Sequence, residues 1–411
     1  MTEPKKILIV VLDGLGDRQC PELRGMTPLQ YIRTPNLDWF LAHGQGGLCD
    51  PISPGIRPGS DTAHLAILGY DVESVYTGRG PFEALGIGMD IQPGDVAMRC
   101  NFATVDDTME VLDRRAGRIR APETSELVEC LDGMEIDGIE CLVRESTEHR
   151  AVLILRGDGL SSEITDPDPG PETHLRMCEP LVPEAEFTAD IVNRFMEECY
   201  SRLKEHPTNR KRRAAGLPPA NILIPRGAGV FPQIESFQEK YGISAACVAG
   251  VGMIKGICKA CGLDIYPLPD ICDGTMESDF IEKARCTIEA LKEYDFVLMN
   301  CKAGDIAGHD GDAKAKADVV RRIDEMASVL KDGLPDDVVT VFTCDHCTPC
   351  ILTDHSGDPV PIAIHSRGLI WDDADVFSET GCSKGMLGRI RAKDIVPICM
   401  DIADRTTKYG S

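Results

Sequence analysis

The chain of 411 residues lacks an apolar run long enough to cross a membrane, which takes about 20 consecutive apolar residues as a helix. No secretion signal is expected from its first residues. Ile7–Leu12 follows Lys5-Lys6 but is too short for a signal-peptide core and ends in Asp13. Basic charge is in short supply, with 43 Lys+Arg against 67 Asp+Glu and a formal net charge of -24. This deficit argues against a general binder of nucleic acid or of anionic membranes, since both rely on basic surface. Nucleotide motifs are missing as well. Gly14-Leu15-Gly16 needs a third glycine where Gln19 stands, and Gly227-Ala228-Gly229 needs one where Pro232 stands. Neither G-x-x-x-x-G-K-[ST] nor H-E-x-x-H occurs, which weighs against a dinucleotide fold, a Walker-type kinase and a zincin. The expectation is an acidic, soluble, cytoplasmic protein acting on a small molecule, with no nucleic-acid or membrane partner. Its oligomeric state stays open.

Cysteine, by contrast, is plentiful. The 18 cysteines are scattered rather than arranged as a small-domain framework, so free buried thiols are the expected state. Cys344, Cys347 and Cys350 share a spacing with some iron–sulfur proteins, and Cys258 and Cys261 form C-x-x-C. The first group has no obvious fourth ligand nearby and already encloses Asp345 and His346, so small buried thiols are the better reading.

What the chain does have is a set of carboxylates and imidazoles placed just after apolar runs. Ile7–Leu12 leads into Asp13, Phe296–Met299 into Asp305 and His309, and Val338–Thr343 into Asp345-His346, with His355 nine residues on. Two helical stripes separate these runs in the last third: Phe280, Ile281, Ala284, Ile288, Leu291, then Val319, Val320, Ile323, Met326, Ala327, Leu330. Alternation of strand and helix implies an α/β fold with a mostly parallel sheet flanked by helices. Such sheets bind ligands at the carboxyl ends of their strands, where Asp13, Asp305 and Asp345 fall. Ala245–Val251 reads equally as a strand or a helix start.

The middle of the chain changes to short alternating patterns broken by Asp166-Pro167-Asp168-Pro169-Gly170-Pro171, then a helix near Ala185–Leu203. The basic run Asn209–Arg213 and Pro218-Pro219 mark a crossing between domains. The expected division is residues 1–97 with 226–411 as one domain and 98–225 as an inserted α+β domain.

Asp13, Asp345, His346 and Ser60 form one candidate ligand set for a divalent ion, and Asp305, His309 and His355 a second. Mixed carboxylate and imidazole shells suit manganese, zinc or iron better than calcium. Two ions about 4 Å apart clamp the attacking and leaving oxygens of an in-line displacement. Taken singly, a strand-end aspartate is more often a turn or helix cap and a lone histidine a non-ligand; the joint pattern is stronger. Ser60 follows Pro58-Gly59 and is expected to cap a helix over Ser60–Leu68 that Gly69 ends. A helix start and a nearby cation also favour the serine alkoxide, which makes Ser60 a candidate nucleophile. Arg115, Arg118, Arg150, Arg226 and Lys255 are candidates for holding an anionic substrate. For each of them alone, solvated surface is the commoner role.

Several segments resemble the archaeal-type cofactor-independent phosphoglycerate mutases of the alkaline phosphatase superfamily. They are Asp13–Asp17, Pro58–Leu65, Asp113–Ile119, Lys302–Asp310, Asp345–Cys350 and His355–Pro361, and the resemblance continues to Gly388–Asp401. It implies an alkaline-phosphatase-like catalytic domain holding two divalent metal ions, Mn2+ first, with Zn2+, Co2+ or Mg2+ as alternatives. It implies interconversion of 3-phosphoglycerate and 2-phosphoglycerate, in glycolysis and gluconeogenesis, without 2,3-bisphosphoglycerate. In that resemblance Ser60 becomes phosphoserine and the insert is a substrate-binding lid that closes over glycerate and excludes water. The chain departs from the family pattern at Ala303-Gly304, Cys344, Cys347 and Asp166–Thr173. A homoserine-kinase-like phosphotransferase and a phosphomonoesterase are the alternatives.

Overall fold

The structure is a computed structural model that describes residues 4–170, 173–408 and 410. Pro171 and Glu172, at the end of the proline-rich segment, lie outside them. The chain divides into two compact units, Met1–Tyr76 with Ile234–Ser411, and Thr77–Gln233.

The first unit is built on an eight-stranded sheet. Across it run Asp264–Ile265, Ala245–Val248, Phe296–Cys301, Lys6–Leu12, Val338–Thr343, Val360–His365, Gly44–Asp50 and Gly388–Arg391. Only Val360–His365 runs against its neighbours. The three central strands are buried along nearly their whole length, as in a parallel sheet covered on both faces. The second predicted stripe is the buried face of Ala313–Gly333; of the first, Phe280, Ala284 and Leu291 are buried in Phe280–Glu293 and Ile281 and Ile288 half-buried, and the two helices pack on each other. Asp312 caps the second by accepting from the Lys314 and Ala315 amides, and Pro335 follows its end. The segment left open between strand and helix is a strand, Ala245–Val248.

The register sets up the site. Leu12 pairs with Cys301 and Val11 with Thr343, so the chain leaves three adjacent strands at the same level. Asp13, Lys302 and Cys344-Asp345 are therefore neighbours before any side chain is considered.

The second unit is an antiparallel sheet in the order Ile222–Val230, Val96–Val105, Arg150–Arg156, Ile139–Glu145, Met134–Ile136, with Val111–Asp113 on the far end of Val96–Val105. Period-two alternation sorts its two faces. Met98, Cys100, Phe102, Leu153 and Leu155 meet Ile191, Val192, Phe195 and Cys199 of the helix Glu186–Lys204. Ala97, Val152 and Ile154 face the other way, with Ala84 of the helix Gly80–Gly86 and with Met89 and Ile91.

The unit boundaries differ from the 97/98 and 225/226 expected from sequence. Those cuts pass through the strands Val96–Val105 and Ile222–Val230, which pair along most of their length, and detach the helix Gly80–Gly86 that packs on both. The basic run is not a crossing either. It lies in the helix Pro207–Ala214 inside the second unit, with Asn209 and Arg212 buried.

All 18 cysteines are free, and 16 are buried, with Cys130 and Cys286 half-buried. Cys344, Cys347 and Cys350 form no three-thiol cluster. Burial raises each of these thiols, so they stay neutral. No helix among the described residues is long and apolar enough to cross a membrane.

One ion pair is sealed inside the first unit. Lys316 Nζ donates to Asp17 Oδ2 at 2.8 Å, to Gly16 O at 3.1 Å and to Thr348 O at 2.8 Å, and both side chains have no exposure. Asp17 also accepts from the Cys350 amide. The lysine thus joins the loop after the first strand to the loop after Val338–Thr343. Removing one partner leaves a buried, uncompensated charge. Lys316→Met is expected to cost about 3–5 kcal/mol in denaturant unfolding, and the double variant Lys316→Met/Asp17→Asn to recover part of it.

Candidate active site

Asp13, Asp305, Asp345 and His346 are buried within a few ångströms of one another at the carboxyl ends of the three central strands. Gly14 makes the turn after Asp13 possible. It has φ +63°, and a Cβ there would stand 2.5 Å from Asp305 Cβ. Its amide donates to Asp345 Oδ1 at 2.9 Å, and the His346 amide does the same at 3.0 Å. Gly308 is needed for a similar reason: a Cβ would meet Thr348 O at 2.3 Å.

Ser60 opens the helix Ser60–Ile67 but does not cap it, contrary to the sequence expectation. Gly59 is the cap residue, and its amide donates to Thr62 Oγ1 at 3.1 Å. Ser60 Oγ is thereby free to donate to His346 Nε2 at 3.0 Å. Lys302 Nζ lies 3.4 Å from the same oxygen, 2.8 Å from Asp13 Oδ1 and 2.7 Å from Asp305 Oδ2.

Hydrogen bonds fix the histidine tautomers. Thr348 Oγ1 donates to Asp305 Oδ1 at 2.7 Å, so it accepts from His346 Nδ1 at 3.0 Å. His309 Nδ1 donates to Thr353 O at 2.9 Å and His355 Nδ1 to Pro58 O at 2.8 Å. In neutral rings all three Nε2 atoms then carry lone pairs. His309 Nε2 and His355 Nε2 stand 3.2 Å apart and each 3.4 Å from Asp305 Oδ1. The His346 and His355 rings stack at 3.6 Å. Lone pairs aimed at one another and at a carboxylate repel unless a proton or a metal cation sits among them; burial lowers His355, but its bond to Asp305 outweighs this and raises it. Asp345 Oδ2 is buried with no hydrogen-bond partner, which makes the same demand. Backbone and hydroxyl partners at Nδ1 are also what orients imidazoles that ligate through Nε2. The donor set therefore fits divalent metal ions.

Electrostatics agree. Burial, and then Asp345, raise the Asp13 carboxyl. Burial would raise Asp305 as well, but Lys302 and His355 hold it well below the usual carboxylate range. Burial and His355 push His346 well down, so it stays neutral.

All seven sequence candidates, Asp13, Ser60, Asp305, His309, Asp345, His346 and His355, are brought together in the first unit. The partition differs in detail. Ligand atoms within 4.8 Å of one another fall into Asp305–His346–His355 and Asp13–His64–Asp345. His64 is nevertheless committed elsewhere: its Nδ1 donates to Ser60 O at 2.7 Å and its Nε2 accepts from Asn300 Nδ2 at 3.2 Å. Asn300 Nδ2 also donates to Asp13 Oδ2 at 2.9 Å. His64 thus holds the Ser60 backbone. Sequence reasoning missed His64, Asn300, Lys302 and Thr348 as site residues. Only Lys302 left a signal, a charged residue directly after a buried strand and three before Asp305.

In the second unit the structure gathers Arg79, Arg99, Arg150 and Arg226 around one end of a sheet face. Arg99 is the cross-strand partner of Arg226, and Arg150 that of Asn101. Like charges so placed destabilise the sheet unless an anion joins them. Glu83 is the near counter-charge, 3.1 Å from Arg79 Nε and 3.9 Å from Arg99 Nη1. Arg99 Nε, Arg150 Nε, His149 Nδ1 and Asn101 Oδ1 are buried without hydrogen-bond partners among the described residues. Burial, Arg79 and Arg150 push Arg99 down to about 9. Burial, Arg150 and Arg115 push His149 down to about 4. The cluster has the charge and the unspent donors to take an anion. Arg115 contributes to it electrostatically. Arg118 is exposed with φ 56°. Arg226 is tied to Asp168 at 3.2 Å. Lys255 is half-buried in the helix Gly252–Ala260 of the first unit, outside the arginine cluster. Arg79, Arg99 and His149 were missed, although a lone arginine within the apolar strand Val96–Val105 is a legible anomaly.

Residues 42–209 match the family model described as 2,3-bisphosphoglycerate-independent phosphoglycerate mutase. The enzyme of that name, numbered 1, from Methanocaldococcus jannaschii is 47% identical over 410 residues, covering 99% of each chain. That from Methanococcus maripaludis strain C7 is 48% identical, covering 99% of this chain and all of its own. This chain belongs to the 2,3-bisphosphoglycerate-independent phosphoglycerate mutase family. A solved cofactor-independent phosphoglycerate mutase from Thermoplasma acidophilum covers 97% of the chain at 38% identity, with a TM-score of 0.71. A solved Pyrococcus horikoshii protein covers all of it at 38% identity and 0.88. The fold of this mutase-family chain is accordingly α/β, a mostly parallel sheet flanked by helices, with a second unit inserted in sequence.

Two measurements check these readings. Elemental analysis of the purified protein loaded with Mn2+ is expected to find two ions per chain, and Asp345→Asn to lose at least one. Phosphate is expected to raise the thermal midpoint more than chloride at equal ionic strength, by about 2.7 kcal/mol of stability at a hundredfold excess over Kd. Arg99→Gln is expected to remove most of that difference.

Proposed function

We propose that this chain interconverts 3-phosphoglycerate and 2-phosphoglycerate, without 2,3-bisphosphoglycerate, through a phosphoserine at Ser60. One observation carries the reading: in a chain of this family, Ser60 Oγ stands free of capping duty at 3.0 Å from His346 Nε2, whose ring stacks on His355 and which lies 3.2 Å from the unpartnered Asp345 Oδ2. Asp13, Ser60, Asp345 and His346 would hold one divalent ion, and Asp305, His309 and His355 the other. Mn2+ is the first candidate, with Zn2+, Co2+ and Mg2+ as alternatives. When bound, such ions stabilise negative charge on the attacking, leaving and phosphoryl oxygens.

The chain's own residues supply the rest. Ser60 Oγ bonds to phosphorus as the bond from phosphorus to the C3 oxygen breaks. The proton that Ser60 gives up is balanced by the one that the departing C3 oxygen takes. Transfer from phosphoserine to the C2 oxygen then regenerates Ser60. Lys302 Nζ, 3.4 Å from Ser60 Oγ, holds positive charge beside this oxygen throughout. His64 fixes the Ser60 backbone through its carbonyl. The arginines of the second unit, Arg115 and Arg150 with Arg79 and Arg99, bind the substrate's carboxylate and phosphate. Arg118, Arg226 and Lys255 stand beside these as further candidates, Arg226 exchanging Asp168 for substrate. As a lid, this unit keeps water from the phosphoserine while glycerate reorients. The reaction belongs to glycolysis and gluconeogenesis.

Phosphorus NMR of 3-phosphoglycerate with the manganese-loaded protein is expected to show 2-phosphoglycerate, and EDTA to stop its formation. Inorganic phosphate as the sole product would make the chain a phosphatase instead. Ser60→Ala is expected to lower turnover at least a thousandfold, on the order of the loss of a catalytic nucleophile, with one metal ion or both retained.

A further inference from the structure

Within the second unit, the loop that carries Arg115 and Arg118 is held in an uncommon backbone conformation. Ala116, Gly117 and Arg118 are consecutive left-handed residues, with φ of 44°, 66° and 56°. Non-glycine residues persist there only when the surroundings over-determine them. Two groups do so. The Asp113 carboxylate accepts from the Arg115 and Gly117 amides, both at 2.8 Å. From the other side, Arg212 Nη2 donates to Ala116 O at 2.8 Å.

Arg212 is an anomaly for its surroundings. It sits in the basic run Arg210–Arg213, yet it is only 4% exposed. Its guanidinium spends every nitrogen on a separate partner: Nη2 on Ala116, Nε on Pro218 O at 2.9 Å, and Nη1 on the Glu123 carboxylate. A Cβ on Gly117 would stand 3.1 Å from Pro218 Cδ and 3.3 Å from Arg212 Nη2, so the loop lies directly against this fork. These three acceptors are each met by a different nitrogen of one planar fork, a spread that the single nitrogen of lysine does not reproduce. A lysine in its place keeps the charge and loses the fork.

We propose that Arg212 is a positioning residue for substrate binding: it clamps the Ala116–Arg118 turn and so sets Arg115 toward the buried cluster of Arg150 and His149. The proposal rests on the mutase reading given above. It adds a residue that never touches the substrate and acts through Arg115.

A double-mutant cycle of Arg212→Lys and Arg115→Ala in the full, manganese-loaded chain tests it, with kcat and KM for 3-phosphoglycerate as readouts. Arg212→Lys is expected to raise KM about tenfold, within the range of coupling inside one hydrogen-bonded network, with kcat within twofold of wild type. Combined with Arg115→Ala it adds little, because the residue it positions is already gone. An unchanged KM, or effects that add in full, would overturn the proposal and leave Arg212 a purely structural arginine. Should Arg212→Lys fail to fold, Asp113→Asn loosens the same turn from its opposite side and must show the same KM effect and the same coupling to Arg115→Ala. A wild-type chain that does not interconvert the phosphoglycerates removes the mutase reading, and this proposal with it. An active wild type with an unmoved variant removes this proposal alone.

Discussion

Three aspartates are buried at the same level of three adjacent parallel strands, and their mutual repulsion is the constraint from which the rest of the first unit follows. Asp13, Asp305 and Asp345 are anchored by backbone that has no freedom to separate them, because the register of the central strands places their loops side by side. A lysine between two of them answers part of the repulsion. The imidazoles answer little of it: with their Nδ1 atoms spent on Thr348, Thr353 and Pro58, neutral rings add lone pairs to a space already rich in negative charge, and His355, raised by its bond to Asp305, is the ring that takes up a proton there. The site is thus built at a cost that a bound cation offsets, which is why its polar groups are over-provided rather than paired off.

Much of this was legible in the sequence because burial on both faces writes itself as unbroken apolar runs, and a polar residue at the end of such a run has few roles. Asp13, Asp305, Asp345 and His346 were found that way. Ser60 was found as a helix start but given the wrong local role. Whether a serine caps depends on whether the preceding residue has taken the cap position, and here Gly59 has. His64 and Asn300 were not legible. Each is a polar residue whose partners are distant in sequence, and His64 reads from its neighbours as one more residue of a short buried helix. The unit boundaries were misplaced because strands at a boundary look alike from either side. Only their pairing shows that Val96–Val105 and Ile222–Val230 belong together.

The second unit makes the complementary choice, concentrating positive charge where the first concentrates negative. The overall charge of -24 hides this entirely. Arg99 and Arg226 face each other across a strand pair, a placement that costs stability in the absence of an anion. Two residues of the basic run Asn209–Arg213, Asn209 and Arg212, turn inward and brace backbone. Composition classes such as "basic run" therefore describe the average residue and miss the one with a structural duty.

The abundance of thiols has a practical consequence. Because 16 of 18 are buried and only Cys130 and Cys286 are half-buried, the folded chain offers almost nothing to an alkylating reagent. The thiols are spread through both units, with Cys100, Cys141 and Cys199 in the core of the second and Cys247, Cys258, Cys301 and Cys344 in that of the first. The mass added by a reagent over time, mapped to individual cysteines, would report which part of the molecule opens first, a built-in chronometer for local unfolding that needs no engineered label.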